Sequence, residues 1–349
     1  MSESKYQGDS VVYYAPGDVR IEAGKPPQKA QAGEVTIRVE ACAICGTDIK
    51  SFNVGNPRIQ PPMVMGHEFC GEIMEVGPGV DHYKAGQRVS MATTIGCGDC
   101  VYCNKGRTNL CRSAEAIGFH YPGAMAPFLT IPAKAMRQNH LVDVGDLDAE
   151  LAALGEPLSC AINGLGRLPM EEIESALVLG LGPLGFLHAV TLRQKGVKQI
   201  VCVEFPGKRT DLARKMGYLV IDPGQIDQVY LDHSQGEGFD LVVITAPSNQ
   251  VQSKAVMYAR KGGYVSFFAS LPVGDEYLHL NSRTLHYNEL IAYGTSDSTV
   301  KHVEEAIRLI RQDPDAYRPL VTHKLAMNEF HRAMDIIKAG EAVKIVLMA

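Results

Sequence analysis

The chain has 349 residues and a formal net charge of −5 at neutral pH. At roughly 150 residues per domain, this length suggests two domains. Hydrophobic residues at 46% and charged residues at 21% match ordinary globular usage and exclude a wholly disordered chain, while the mild acidity points away from nucleic acid or an anionic membrane as partner.

The first ten residues, Met1 to Ser10, are polar and lack the charged head and apolar core of a secretory signal. No window reaches about 18 consecutive apolar residues, so no membrane span is expected and the cytoplasm is the default location. From Val11 to about Gly155 the chain is rich in Gly, Pro and short β-like runs. Residues 35–40 alternate apolar and polar side chains, as a half-buried strand does. Gly77-Pro78-Gly79 and Gly86 mark turns between further short runs. This part reads as mainly β.

From about Pro157 the texture changes to alternating strands and helices. The predicted order is strand 176–179, helix 183–195, strand 200–203, helix 208–216, strand 241–245, helix 249–259 and strand 264–268. Leu184, Leu187 and Val190 fall on one face of the first helix, which Gly196 ends. Such repetition implies a parallel, doubly wound sheet, so the fold class is α/β. After about Gly294 come helices at 300–312 and 329–338 and a terminal strand at 343–347. This tail is short for a domain and is expected to complete the first one. The expected division is residues 1–156 with 295–349, and residues 157–294. The acidic run at 171–174 reads as a solvated surface.

Nine cysteines without a secretory signal argue against a disulfide framework. Four of them, Cys97, Cys100, Cys103 and Cys111, lie within 15 residues. Four thiolates at that spacing can close a tetrahedral zinc shell with no open position, a structural role that pins a lobe at about 92–115. An iron–sulfur cluster or unligated core cysteines are the alternatives.

Gly180-Leu181-Gly182-Pro183-Leu184-Gly185 matches G-x-G-x-x-G between a predicted strand and a predicted helix. In that context the first glycine permits a tight turn, the second lets a pyrophosphate approach the backbone, and the third allows close helix–strand packing. The helix N-terminus offers unpaired N–H groups to phosphate. Glu204, 19 residues after Gly185, can accept hydrogen bonds from a ribose 2′-hydroxyl, which favours NAD over NADP. Lys208 and Arg209 lie close enough in sequence to offset a 2′-phosphate.

A second metal signal is dispersed. Cys45 and Asp48 sit in a Gly-containing turn, His67-Glu68 follows Gly66, and Glu156 precedes Pro157. A thiolate, an imidazole and a carboxylate with room for water describe an open catalytic zinc site. Sequence spacing alone does not gather them, and a His-Glu pair also fits a surface or a satisfied core.

Taken together, Cys45-Gly-Thr-Asp48, Gly66-His-Glu68, the four-cysteine lobe, Gly155-Glu-Pro-Leu158, the glycine fingerprint with Glu204, and Pro319-Leu-Val-Thr-His323 resemble the zinc-containing medium-chain alcohol and polyol dehydrogenases. Within them the chain is similar to the sorbitol/iditol and threonine dehydrogenase branch. The resemblance implies a GroES-like catalytic domain interrupted by a Rossmann domain, with the active site in the cleft and the chain in a homodimer or homotetramer through a sheet edge near 264–270. It implies two zinc ions per chain. The catalytic one would rest on Cys45, His67 and Glu68, with Glu156 bound directly or through water and Cys160 as the alternative.

Asp48 would orient His67, or simply hold a turn. Cofactor contacts are implied at Gly180, Gly182, Pro183, Leu184, Gly185, Glu204, Arg209 and Thr245. Arg209 would pack near adenine. Thr47 would take the alcohol proton before hydride passes to nicotinamide, and Lys50 stands where a longer proton relay often carries histidine. The implied substrate is a small polyol, sugar or cyclitol. A threonine- or butanediol-type alcohol is the alternative, and a non-catalytic nucleotide-binding protein is the rival outside enzymes. Ser51 and Asp297-Ser298 depart from the aromatic residue and Arg-Tyr pair usual in sorbitol dehydrogenases. Arg58 is a candidate for an anionic substrate group, and His120-Tyr121 for a pocket or surface loop. His188, Cys42, Cys70 and Cys202 read as structural.

Overall fold

A computed structural model describes residues 8–234 and 236–349. The chain divides into two compact units, one running to Cys160 and resuming at Asp297, the other Ala161–Ser296. The change of texture at Pro157 lies inside a continuous helix, Gly155–Leu165. A proline in the first turn of a helix removes an N–H that has no partner there anyway.

The first unit is built on a sheet in which Leu141–Asp143, Arg88–Met91, Glu68–Val76, Val35–Ala43, Lys344–Met348 and Val321–Ala326 lie in that order, with Phe128–Ile131 pairing Val35–Ala43 as well. The terminal strand therefore joins the N-terminal part of the chain: Val346 stands opposite Ala43 and Leu347 opposite Cys42. Val35–Ala43 is buried on both faces except at Arg38 and Glu40, which explains why the alternation at its start fades into an apolar run. Its neighbours supply a core that includes Ile37, Val39, Phe69, Ile73, Met91, Leu129 and Leu347. Helix Val300–Gln312 packs Val303, Ala306, Ile307 and Ile310 inward.

The second unit is a six-stranded parallel sheet in the order Leu219–Ile221, Gln199–Val203, Ser175–Leu179, Phe239–Ile244, Ala259–Phe267, Ile291–Gly294. That order reverses beside the first strand in sequence, where open α/β sheets bind ligands. Helix Pro183–Gln194 is buried from Gly185 through Leu192; it is not the one-faced amphipathic helix its leucine spacing suggested. The single helix expected at 249–259 is an α-helix Asn249–Lys254 followed by a 3-10 turn Ala255–Tyr258. Ala259–Phe267 begins earlier than expected and is paired on both sides. The sheet edge expected near 264–270 is therefore interior along Tyr264–Phe267, and the free edge belongs to Ile291–Gly294. Among the described residues no helix is long and apolar enough to cross a membrane.

Candidate active site

Sheet order assembles the first cluster. Glu68 begins its strand opposite Ala43, and two residues beyond Ala43 the chain turns into helix Gly46–Val54 with Cys45 as its N-cap. His67 immediately precedes Glu68. One ligand atom from each of Cys45, His67 and Glu68 lies within 4.8 Å of the others. His67 and Glu68 are buried and Cys45 is half-buried. His67 Nδ1 is buried without a hydrogen-bond partner. Three such donors facing one point fit a divalent zinc ion with an open position.

The surroundings are strongly anionic. Asp48 Oδ2 accepts the Cys45 N–H at 3.0 Å, and Asp48 Oδ1 stands 3.9 Å from His67 Nδ1. The capping bond is formed; the distance to His67 is that of a charge neighbour, not of a hydrogen bond. Burial disfavours a charged His67, but Cys45, Asp48 and Glu156 outweigh it and hold His67 well above its usual pKa. Burial pushes the Glu156 carboxyl up to about 7, against the opposing pull of His67. Glu156 bears on His67 and Glu68 electrostatically but is not one of the three clustered ligands. Cys160 Sγ is 3.8 Å from Glu156 Oε1. Thr47 Oγ1 lies 3.7 Å from Cys45 Sγ, and Ser51 donates to the Thr47 carbonyl at 2.8 Å.

Three further side chains bear on this centre. The Arg58 guanidinium stacks on Phe119 at 4.5 Å, and the Phe119 ring packs against the His67 imidazole at 5.3 Å. Asp297, exposed and at φ 52°, feels the charges of both Arg58 and His67. Its neighbour Ser298 accepts from Ser159 Oγ at 2.6 Å, so Asp297 is tied to the helix that carries Glu156. His120 Nδ1 accepts the Ala116 N–H at 3.1 Å, and Tyr121 donates to Glu115 at 2.8 Å. Both partners lie in the preceding strand Glu115–Ala116.

Cys97, Cys100, Cys103 and Cys111 form the second cluster. Cys100 and Cys103 sulfurs are 3.6 Å apart, and Cys97 and Cys103 sulfurs 3.9 Å. A tetrahedral zinc with bonds of about 2.3 Å places its sulfurs about 3.8 Å apart. The lobe around them holds two 3-10 turns, Cys103–Lys105 and Thr108–Leu110, and a two-stranded ribbon, Thr94–Ile95 with Glu115–Ala116. Between Cys97 and Ala114 the one buried residue is Cys111, so a metal on the four sulfurs would supply what an apolar core does not.

In the second unit the fingerprint adopts the turn its glycines allow. Gly180 has φ +100°, and Gly182 caps helix Pro183–Gln194 with Pro183 in its first turn. A Cβ on Gly182 would meet nothing within 4 Å, so its backbone faces open space. A Cβ on Gly185 would fall 2.0 Å from the Gly180 carbonyl oxygen. Gly185→Ala is therefore expected to pry the helix from the strand, lower stability by about 1–3 kcal/mol, and weaken dinucleotide binding at least tenfold; thermal melts and nucleotide titration check both. Glu204 accepts the Leu181 N–H at 2.8 Å and the Phe205 N–H at 3.0 Å, which anchors its carboxylate beside the fingerprint. Thr245 donates to the Gly180 carbonyl at 2.8 Å; its observed contact is with the loop, which it buttresses. Arg209 lies in the first turn of helix Lys208–Lys215.

His188 is fully buried, bonds Leu184 O at 2.7 Å and stacks edge-on against Phe268 at 4.5 Å. Burial pushes its pKa down to about 4, which keeps it neutral. Cys42, Cys70 and Cys202 are buried thiols. Sequence reasoning passed over Lys344, which pairs with Glu68; the available signal was a single charge in the otherwise apolar strand 343–347.

A parallel sheet with a phosphate-binding turn, together with a Cys/His/Glu centre and a four-cysteine centre, defines a metal- and dinucleotide-dependent oxidoreductase. The family model of the alcohol dehydrogenase GroES-like domain matches residues 31–140, and that of the glucose dehydrogenase C-terminus matches residues 149–348. L-threonine 3-dehydrogenase of Pyrococcus abyssi is 30% identical over 341 residues, covering 95% of this chain and 94% of that protein. Among solved structures, 2R,3R-butanediol dehydrogenase from Bacillus subtilis superposes with a TM-score of 0.87 at 24% identity, over 98% of this chain and 99% of that one. A protein from Sinorhizobium meliloti 1021, named as a zinc-binding dehydrogenase and bound to NADP, gives 0.88 at 26% identity over 98% and 99%. The chain belongs to the zinc-containing medium-chain alcohol dehydrogenase family, with a GroES-like and a Rossmann domain, and is an oxidoreductase of that class.

Proposed function

We propose that this enzyme oxidises a secondary alcohol of a polyol, sugar or cyclitol to the ketone, with NAD taking the hydride and one proton released. The observation that carries the reading is the convergence of Cys45, His67 and Glu68 on one point. Zinc bound there supplies a Lewis acid that lowers the pKa of an alcohol oxygen. Glu156, whose charge bears on His67 and Glu68, would join the metal directly or through water. Thr47 Oγ1, held beside Cys45, accepts the alcohol proton as its own hydroxyl proton passes on toward the cofactor ribose and solvent. Phe119, packed on His67, keeps that side of the centre apolar. The anchored carboxylate of Glu204 supports NAD, since it accepts from ribose hydroxyls and repels a 2′-phosphate.

A second reading, a threonine-type hydroxy amino acid, is favoured by Arg58 and Asp297. A zwitterionic substrate needs one cation and one anion beside the reacting carbon, and this pair has both signs. We also propose a homo-oligomer through the Ile291–Gly294 edge, where Ile291 and Tyr287 are exposed, because an unpaired strand edge invites a second copy.

One panel separates the substrate readings: neutral polyols and cyclitols, butanediol, L-threonine and aldonates, each with NAD and NADP, followed by NADH absorbance. The first reading expects polyols or cyclitols with NAD to give the highest kcat/KM. Preference for L-threonine, lost in Arg58→Met, would replace it with the second.

A further inference from the structure

Among the described residues Lys344 is the only buried lysine, and no arginine is buried. Its Nζ forms an ion pair with Glu68 Oε2 and donates to the Ile44 carbonyl at 3.0 Å. The topology explains the meeting. Strand Val35–Ala43 lies between Glu68–Val76 and Lys344–Met348, so Glu68 and Lys344 flank the strand end that leads into Cys45. Stability alone is a weak reason for this lysine. A buried ion pair is commonly no better than well-packed apolar residues of the same volume. The lysine instead sits against the anionic end of the centre, paired with Glu68 and bonded to the Ile44 carbonyl next to Cys45.

We infer that Lys344 is a positioning residue of the Cys45–His67–Glu68 centre: it holds one oxygen of Glu68, leaves the other for the metal, and offsets part of the ligands' anionic charge. The inference rests on reading that centre as a zinc site. With a thiolate and a carboxylate as ligands, and Asp48 close by, a doubly charged ion would be over-neutralised. A fixed positive charge behind Glu68 keeps the metal electron-poor, and it prevents the carboxylate from closing on the ion with both oxygens. The consequence is a weaker hold on the metal in exchange for a better Lewis acid.

The test is a double-mutant cycle on the full-length protein, read by zinc affinity in chelator competition and by the visible bands of the cobalt-substituted enzyme. Lys344→Met is expected to tighten the centre's zinc affinity at least tenfold and to weaken the cobalt bands as the coordination number rises. Lys344→Arg should stay within about threefold of wild type, since it keeps the charge. Glu68→Gln leaves a buried cation beside the metal, so adding Lys344→Met to it should recover at least tenfold in zinc affinity. That arm stands even where the single Lys344→Met chain does not fold.

Equal zinc affinity and unchanged cobalt bands in folded Lys344→Met, or no recovery in the double variant, would overturn the inference while leaving the zinc site intact. A wild-type chain that binds zinc only at the four-cysteine lobe would instead remove the zinc reading itself.

Discussion

Cys45→Ser is expected to lower kcat/KM for alcohol oxidation by about three orders of magnitude while the fold survives. The thiolate is one of three clustered donors, and serine is a poor zinc ligand near neutral pH. Lewis-acid stabilisation of developing charge is worth several kcal/mol; about 4 kcal/mol corresponds to about a thousandfold. The fold tolerates the change for a specific reason. Residue 45 is the N-cap of helix Gly46–Val54, a position where serine is among the preferred residues. The bond from the residue 45 N–H to Asp48 does not involve the side chain. Zinc per chain should fall from two to one, with the melting temperature little changed. Activity within tenfold of wild type in a chain retaining both ions would count against the assignment of Cys45.

Cys103→Ser is expected to do the opposite: modest direct effect on chemistry, large effect on stability. Cys103 Sγ lies within 4 Å of both Cys97 and Cys100 sulfurs, at the centre of the four-cysteine cluster. The lobe's regular structure is limited to short turns and a two-residue ribbon, so loss of the metal leaves little to order it. A loss of about 4 kcal/mol lowers the melting temperature by about 5 °C in a chain of this size. Limited proteolysis should cut between residues 97 and 111 in the variant and not in wild type. Chelator treatment of wild type should remove the open centre's zinc first, because the closed shell has no free position for an incoming ligand. A variant that melts with wild type and resists protease would show that the lobe holds without its metal.

The two clusters differ in how far the chain alone reveals them. Cys97 to Cys111 are close because they are neighbours in sequence, and the fingerprint at 180–185 works within one strand–turn–helix. For these, local spacing is nearly the whole geometry. Strands and helices of the second unit were legible for the same reason, through their periodicity and their closing glycines. The helix Gly155–Leu165 was not, because a proline in its first turn looks like a break.

Local pattern determined the α/β class, the dinucleotide turn and the four-cysteine lobe, since each needs only residues that connectivity already holds together. Tertiary pairing decided the rest. It set Glu68 against Ala43 and brought Lys344 across from the far end of the chain. It also covered Tyr264–Phe267 with the strand Ile291–Gly294. Which strands lie side by side depends on which apolar faces bury one another over the whole unit, and no local spacing carries that information.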